Sequence, residues 1–344
     1  MSIPRLELEK IVAQLIAPGK GILATDETAG TLEKRFSAVN IVCTEESRRD
    51  YRELMYSTPE LGAFISGVIL FEETLKQKSV TDAPLPHVLI SQGILVGIKV
   101  DKGLLPLSHF APEKVTQGLD GLAERLFEYK QLGARFAKWR AVIGIGINIP
   151  TSAAIAANAH ALARYAAICQ ELGLVPIIEP EVLMDGDHTL DDCARVSEEV
   201  LHTVFHALYQ QRVALEYILL KPAMVVSGVT CPTQATPQQV AEATLASLRR
   251  TVPAAVRGIN FLSGGQSATT ATANLNAINT LNPDAVSQPW NLSFSFGRAL
   301  QTDVLEAWRG EAANRVIAQQ ALYRRARLNS AASKGEYAYE MENE

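Results

Sequence analysis

Along the chain, short apolar runs rich in β-branched residues recur at roughly 30 to 45 residues, the spacing of successive strand-and-helix units. Eight runs predict eight strands: Gly21–Asp26, Phe64–Phe71, Leu95–Asp101, Phe136–Ile145, Val175–Leu183, Leu215–Val225, Gly258–Gly265 and Trp290–Phe296. Between them lie stretches with apolar residues at helical spacing, punctuated by turn residues: Ser152 to Leu172 stops at Gly173, and Thr236 to Thr251 stops short of Pro253. The runs are apolar almost throughout rather than alternating, as in strands covered on both faces, which argues for a parallel sheet wrapped by helices. Eight such units predict an α/β fold, a TIM (β/α)8 barrel in a single domain. The competitor is a doubly wound open sheet. A nucleotide-binding member of that class would carry a glycine fingerprint after an early strand, and Gly144-Ile145-Gly146 lacks the third glycine. With no Pro/Gly/Ser-rich linker to divide it, the chain reads as one barrel over residues 1–330. Residues 331–344 change in composition and are expected to form a mobile C-terminal tail.

Composition narrows the partners more than the fold. The 344 residues are 47% hydrophobic, enough for one large barrel or two ordinary domains. The net charge of -5 comes from mixed charges without a basic stripe, which argues against nucleic acid and membrane partners. Arg5, Glu7, Glu9 and Lys10 interrupt the first segment, so it lacks the apolar core of a signal peptide, and runs such as Phe64 to Phe71 are too short to span a bilayer. A cytoplasmic protein is expected. Cys43, Cys169, Cys193 and Cys231 are far apart and form no CxxC pair, so they read as reduced thiols.

In a barrel the active site lies where the strands end, and polar residues collect there: Asp26-Glu27, Glu72-Glu73, Lys99 and Asp101, Lys138 and Arg140, Glu179 and Glu181, Lys221, Ser263-Gly264-Gly265, and Ser295 with Gly297-Arg298. Each of Lys99, Lys138 and Lys221 could serve a structural ion pair. Together with Arg140 and Arg298, they make a local excess of positive charge in an acidic protein, which fits a doubly anionic substrate. Desolvation beside other cations is also a way to keep an amine neutral, the form that attacks a ketone. The glycine-containing loops Ser263-Gly264-Gly265 and Gly297-Arg298 follow the last two runs, where barrels often bind phosphate. Asp26 is a candidate base. Glu179 and Glu181 could move protons or pair with the lysines. A metal is not expected: only His202 and His206 have i, i+4 spacing, and they lack the glutamate of HExxH. No cofactor is expected either.

Several stretches in collinear order resemble class I fructose-bisphosphate aldolases from about residue 19 to about residue 330. They are Gly19-Lys20-Gly21-Ile22-Leu23-Ala24-Thr25-Asp26-Glu27, Leu70-Phe71-Glu72-Glu73, Gly97-Ile98-Lys99-Val100-Asp101, Phe136-Ala137-Lys138-Trp139-Arg140, Ile178-Glu179-Pro180-Glu181, Leu219-Leu220-Lys221-Pro222, Leu262-Ser263-Gly264-Gly265 and Phe296-Gly297-Arg298. The resemblance implies reversible cleavage of fructose 1,6-bisphosphate to dihydroxyacetone phosphate and glyceraldehyde 3-phosphate, in glycolysis, gluconeogenesis or sugar-phosphate synthesis. Sedoheptulose 1,7-bisphosphate is a further candidate substrate. It implies that Lys221 forms a Schiff base, that Glu179 acts as acid and base around it, that Lys138 assists, and that Asp26 takes the C4 hydroxyl proton. Ser263, Gly264, Gly265, Gly297 and Arg298 would hold the C1 phosphate. Lys99, Thr28, Thr31, Lys34 and Arg35 would hold the C6 phosphate, with Arg140 and Glu181 also at the site. A homotetramer is implied as well.

Three positions depart from the family pattern. Thr28 and Thr31 stand where animal members have serines, and Phe296 where tyrosine is common, removing a hydroxyl expected at the rim. The chain ends in Glu344 rather than in the tyrosine that folds over the vertebrate site, and neither Tyr337 nor Tyr339 can be given that role. Two other readings are another Schiff-base sugar-phosphate aldolase and a non-catalytic scaffold on the same fold.

Overall fold

Eight parallel strands close into a barrel in the computed structural model, which describes residues 3–281 and 288–343. They are β1 (Gly21–Thr25), β2 (Ile65–Leu70), β3 (Leu95–Lys99), β4 (Ala134–Ile143), β5 (Val175–Val182), β6 (Leu219–Leu220), β7 (Gly258–Phe261) and β8 (Asn291–Phe296). Each pairs with the next, and β8 pairs with β1 through Ile22↔Ser295 and Leu23↔Phe296. The ladder at β6 is much shorter than the run Leu215–Val225 suggests. Leu215–Tyr217 forms a 3-10 turn, and Pro222 has no N–H to extend the pairing, although Lys221 N still donates to Ile178 O at 2.8 Å. The helix expected from Thr236 spans Pro237–Thr251, with Thr236 capping it by accepting from Gln239 N.

The period of two along a strand sorts the residues into layers. In β4, Ala137, Trp139 and Ala141 face outward into the core beneath the helices, while Phe136 faces into the barrel and Lys138 lies above it at the mouth. Inward-facing Ile22, Ala24, Ile69, Phe136, Val175, Ile177 and Leu219 fill the lower barrel. Helix Arg5–Leu15 lies across that end and buries Leu8, Ile11, Val12 and Leu15 against them. This spacing of i, i+3, i+4 and i+7 is one helix face, and each such side chain contributes about 1.5–3 kcal/mol when fully buried. Among the described residues this helix covers the N-terminal ends of the strands, and the cavity lined by polar strand-end residues lies at the other end.

Phe136 makes one glycine obligatory. A Cβ on Gly97 would lie 2.1 Å from the Phe136 ring, where no carbon can sit. Gly97→Ala is therefore expected to destabilise the fold by about 2 kcal/mol or more, read as a shift in the denaturant midpoint. An unchanged midpoint would contradict this packing.

The helix Arg315–Ala332 carries the chain past the expected start of the tail, and Glu344 lies outside the described residues. Along residues 335–343, Tyr337 N donates to Asn276 Oδ1 at 3.0 Å, Tyr337 Oη donates to Glu342 Oε1 at 2.9 Å, and buried Arg325 pairs with Glu342 at 2.5 Å. Neither Tyr337 nor Tyr339 lines the barrel mouth.

Candidate active site

At the C-terminal mouth lies a cavity of about 600 Å³, to which every strand or its following loop contributes except β2. Its floor carries four charged side chains in alternating order. Lys138 Nζ lies 2.8 Å from Asp26 Oδ2 and 2.9 Å from Glu179 Oε2; the other oxygen of Glu179 lies 3.1 Å from Lys221 Nζ. Lys138, Glu179 and Lys221 are buried, and Asp26 is nearly so. Buried charges of this kind persist only when paired, and here each has an opposite partner.

These contacts set the protonation states. Burial alone pushes the Asp26 carboxyl up, but the charges of Lys138, Lys221 and Lys99 outweigh it and hold Asp26 well below the usual carboxylate range. Glu179 follows the same logic: burial raises it, and Lys138, Lys221 and Arg140 lower it further than burial lifts it. Burial works against a charged Lys138, yet Asp26, Glu179 and Asp101 hold its ammonium well above the ordinary lysine value.

Around the floor the rim is basic. Seven Lys or Arg side chains line the cavity against five Asp or Glu, an excess of two positive charges in a chain whose net charge is negative. Lys99 pairs with Asp101 at 2.6 Å, Arg140 with Glu181, and Arg35 with Glu27 at 2.6 Å. Two helices begin at this rim. Thr28 caps helix Ala29–Ser37 by accepting from Thr31 N, and Gly297 precedes helix Arg298–Trp308. Unsatisfied N–H groups and the positive dipole end at such starts favour an anion. Arg298 Nη2 donates to Gly264 O at 2.6 Å, joining the loops after β7 and β8. Gly264 has φ +56°, which favours glycine there.

The structure thus brings together Asp26, Thr28, Thr31, Lys34, Arg35, Lys99, Lys138, Arg140, Glu179, Glu181, Lys221, Ser263, Gly264, Gly297 and Arg298 on one cavity. Gly265 is set apart: its N–H points to Met184 Sδ at 3.1 Å, and it is not on the lining. Glu72 and Glu73 also lie elsewhere, on the short helix Glu72–Lys76, where Glu73 pairs with Arg48 and Arg52 and Glu72 with Lys76 and Lys102. Phe296 corrects the expectation of a rim position, since it is fully buried on the outward face of β8 against Phe294. His202 and His206 lie exposed on helix Leu190–Gln210. Ser295, noted in sequence only as a strand-end residue, lines the cavity with a buried hydroxyl that has no protein partner. Gln301 gave no sequence signal, being one polar residue on a helix, yet it is buried beside Glu27.

Comparison with known proteins places these features in a family. A family model described as fructose-bisphosphate aldolase class-I matches residues 7–344. The chain is 52% identical over 332 residues to a probable fructose-bisphosphate aldolase class 1 of Xanthomonas campestris pv. campestris, covering 96% of this chain and 98% of that one. It is 52% identical over 337 residues to a fructose-bisphosphate aldolase of Dictyostelium discoideum, covering 97% and 93%. Among solved structures it resembles the fructose-bisphosphate aldolase of Plasmodium falciparum, in a ternary complex with TRAP and an inhibitor. That match has a TM-score of 0.95, 49% identity and 98% coverage of both chains.

Proposed function

Since the chain belongs to the class I fructose-bisphosphate aldolase family, we propose that Lys221 carries the reversible cleavage of fructose 1,6-bisphosphate as an imine with the C2 ketone carbon. The observation that carries this reading is the floor of the cavity, where Lys221 Nζ lies buried 3.1 Å from a carboxylate able to shuttle protons. Glu179 takes one proton from the paired Lys221 to free the amine that attacks C2. The nitrogen then passes a proton to the new alkoxide, and Glu179 returns its proton as the carbinolamine expels water, leaving an iminium. The C3–C4 bond then breaks, its electron pair moving into the iminium to give an enamine. Asp26 accepts the C4 hydroxyl proton, and glyceraldehyde 3-phosphate leaves. Protonation at C3 and hydrolysis release dihydroxyacetone phosphate and regenerate Lys221. Lys138, between Asp26 and Glu179, keeps both carboxylates ionised and oriented.

The C1 phosphate sits against Ser263, Gly264, Gly297 and Arg298, and the C6 phosphate against Lys99, Thr28, Thr31, Lys34 and Arg35. Gly265 supports the first loop from behind. The helix starts at Ala29 and Arg298 support these assignments. Arg298→Ala is expected to raise KM for the bisphosphate about 10- to 100-fold with little change in kcat, as for a lost charged hydrogen bond made equally in ground and transition states. An unchanged KM would remove Arg298 from the phosphate site. The same two phosphate sites would accept sedoheptulose 1,7-bisphosphate, which competition kinetics against the six-carbon substrate would test.

Borohydride reduction with dihydroxyacetone phosphate in EDTA, followed by peptide mapping, tests the covalent step. An adduct on Lys221 is expected; an adduct on Lys138 or Lys99 would overturn the assignment. A homotetramer working in the cytoplasm fits the family and the four unpaired cysteines, and sedimentation of the purified chain tests the assembly.

A further inference from the structure

One buried polar side chain at the barrel mouth is not used by this chemistry. Gln301 lies one turn into helix Arg298–Trp308, with 1% of its surface exposed. Its amide donates to Ala24 O at 2.6 Å and to Glu27 Oε1 at 2.8 Å, and its oxygen accepts from Tyr51 Oη at 3.3 Å. The two acceptors flank Asp26, one before it and one after it in sequence. Glu27 Oε1 also accepts from Arg35 Nη1 at 2.6 Å, so Gln301 and Arg35 share one carboxylate oxygen.

The place of this amide in the fold gives it a consequence. The β8–β1 seam is where the two ends of the sheet meet, and its ladder consists of two register pairs, the upper being Leu23↔Phe296. Above that pair the chains separate into two loops. One leads into the helix that begins at Arg298; the other leads through Thr28 into helix Ala29–Ser37, which carries Thr31 and Arg35. Gln301 bridges these loops at the level where the ladder has ended, with an amide whose two donors reach a backbone carbonyl and a carboxylate together. Few neutral side chains of this length present two donors at once. An apolar residue would leave Ala24 O without this bond and free the Glu27–Arg35 pair to move. A carboxylate would set two like charges together in a buried place.

We propose that Gln301 is a positioning residue that fixes the spacing between the C1- and C6-phosphate sites, so that the second phosphate of the substrate contributes fully to binding. The proposal rests on the two-phosphate reading above. Gln301 touches no substrate atom; it acts through Glu27 and Arg35 on one side and through its own helix on the other. Its loss therefore falls on substrates with two phosphates and spares those with one.

The test compares fructose 1,6-bisphosphate with fructose 1-phosphate in the full-length enzyme. For Gln301→Met, KM for the bisphosphate is expected to rise about tenfold, the effect of one hydrogen bond to a charged group, while kcat/KM for fructose 1-phosphate stays within about twofold of wild type. The ratio between the substrates thus narrows. Gln301→Asn, whose shorter amide cannot reach both acceptors and adds no buried charge, is expected to narrow it in the same sense and serves if Gln301→Met fails to fold. Equal losses on both substrates would indicate a purely structural role and overturn the proposal, as would a folded variant with wild-type discrimination. A wild-type enzyme indifferent to the second phosphate would overturn the two-phosphate reading and this proposal with it.

Discussion

Lys221→Ala is expected to lose borohydride trapping of dihydroxyacetone phosphate and at least about 10⁴-fold of cleavage, since covalent catalysis has no substitute at this position. The proposed phosphate sites lie beyond the strand ends of β1, β3, β7 and β8, apart from Lys221, so affinity for the bisphosphate should persist, measured by calorimetry. The substitution also removes one positive charge from the alternating series Asp26, Lys138, Glu179, Lys221 and leaves Glu179 with Lys138 alone. Breaking a buried pair in this way costs about 3 kcal/mol, and the denaturant midpoint should fall accordingly. The destabilised variant must still be shown to fold by circular dichroism. With folded Lys221→Ala, turnover within tenfold of wild type would rule out the imine on Lys221, whatever the phosphate affinity.

The reason Lys221 was legible in sequence is the reason the barrel was. A residue such as Lys138 in Phe136-Ala137-Lys138-Trp139-Arg140 has apolar neighbours on both sides, and a chain rarely places a charge there without a partner. Strand periodicity then predicts that Phe136 and Lys138 share a face, and the structure has Phe136 filling the lower barrel and Lys138 at its mouth. What sequence could not supply was anything decided by a distant segment. The run around β6 is as apolar as the others, but only Leu219 and Leu220 find ladder partners. Glu72 and Glu73 end a strand-like run, yet a short helix carries them away to Arg48 and Lys102. Phe296 and Ser295 are adjacent, and only the register with β1 decides which faces the cavity and which the helices. Gln301 meets Ala24 across 277 residues, a contact that no local pattern encodes.

Asp26→Asn is expected to separate two steps that Lys221→Ala abolishes together. The amide cannot accept the C4 proton, so cleavage of fructose 1,6-bisphosphate should fall about 10²- to 10⁴-fold, the range for loss of a positioned base. Imine formation with dihydroxyacetone phosphate involves no C4 hydroxyl. Trapping on Lys221 and exchange of the C3 proton with solvent should therefore survive in the variant. If exchange fell in parallel with cleavage, Asp26 would be acting on the imine or on Lys138 rather than on C4. Lys138, Lys221 and Lys99 together hold the Asp26 carboxyl well below its ordinary value against the opposing effect of burial. The same shift carries a stability signature with a definite sign. Because the folded carboxyl lies below its ordinary value of 3.8, its contribution is fully present above that pH and is lost as pH falls through the folded value. The stability gap between wild type and Asp26→Asn should thus stay level from about pH 8 to about pH 5 and narrow only in stronger acid. A gap that closed already near neutrality would mean that Lys138 does not hold Asp26 ionised.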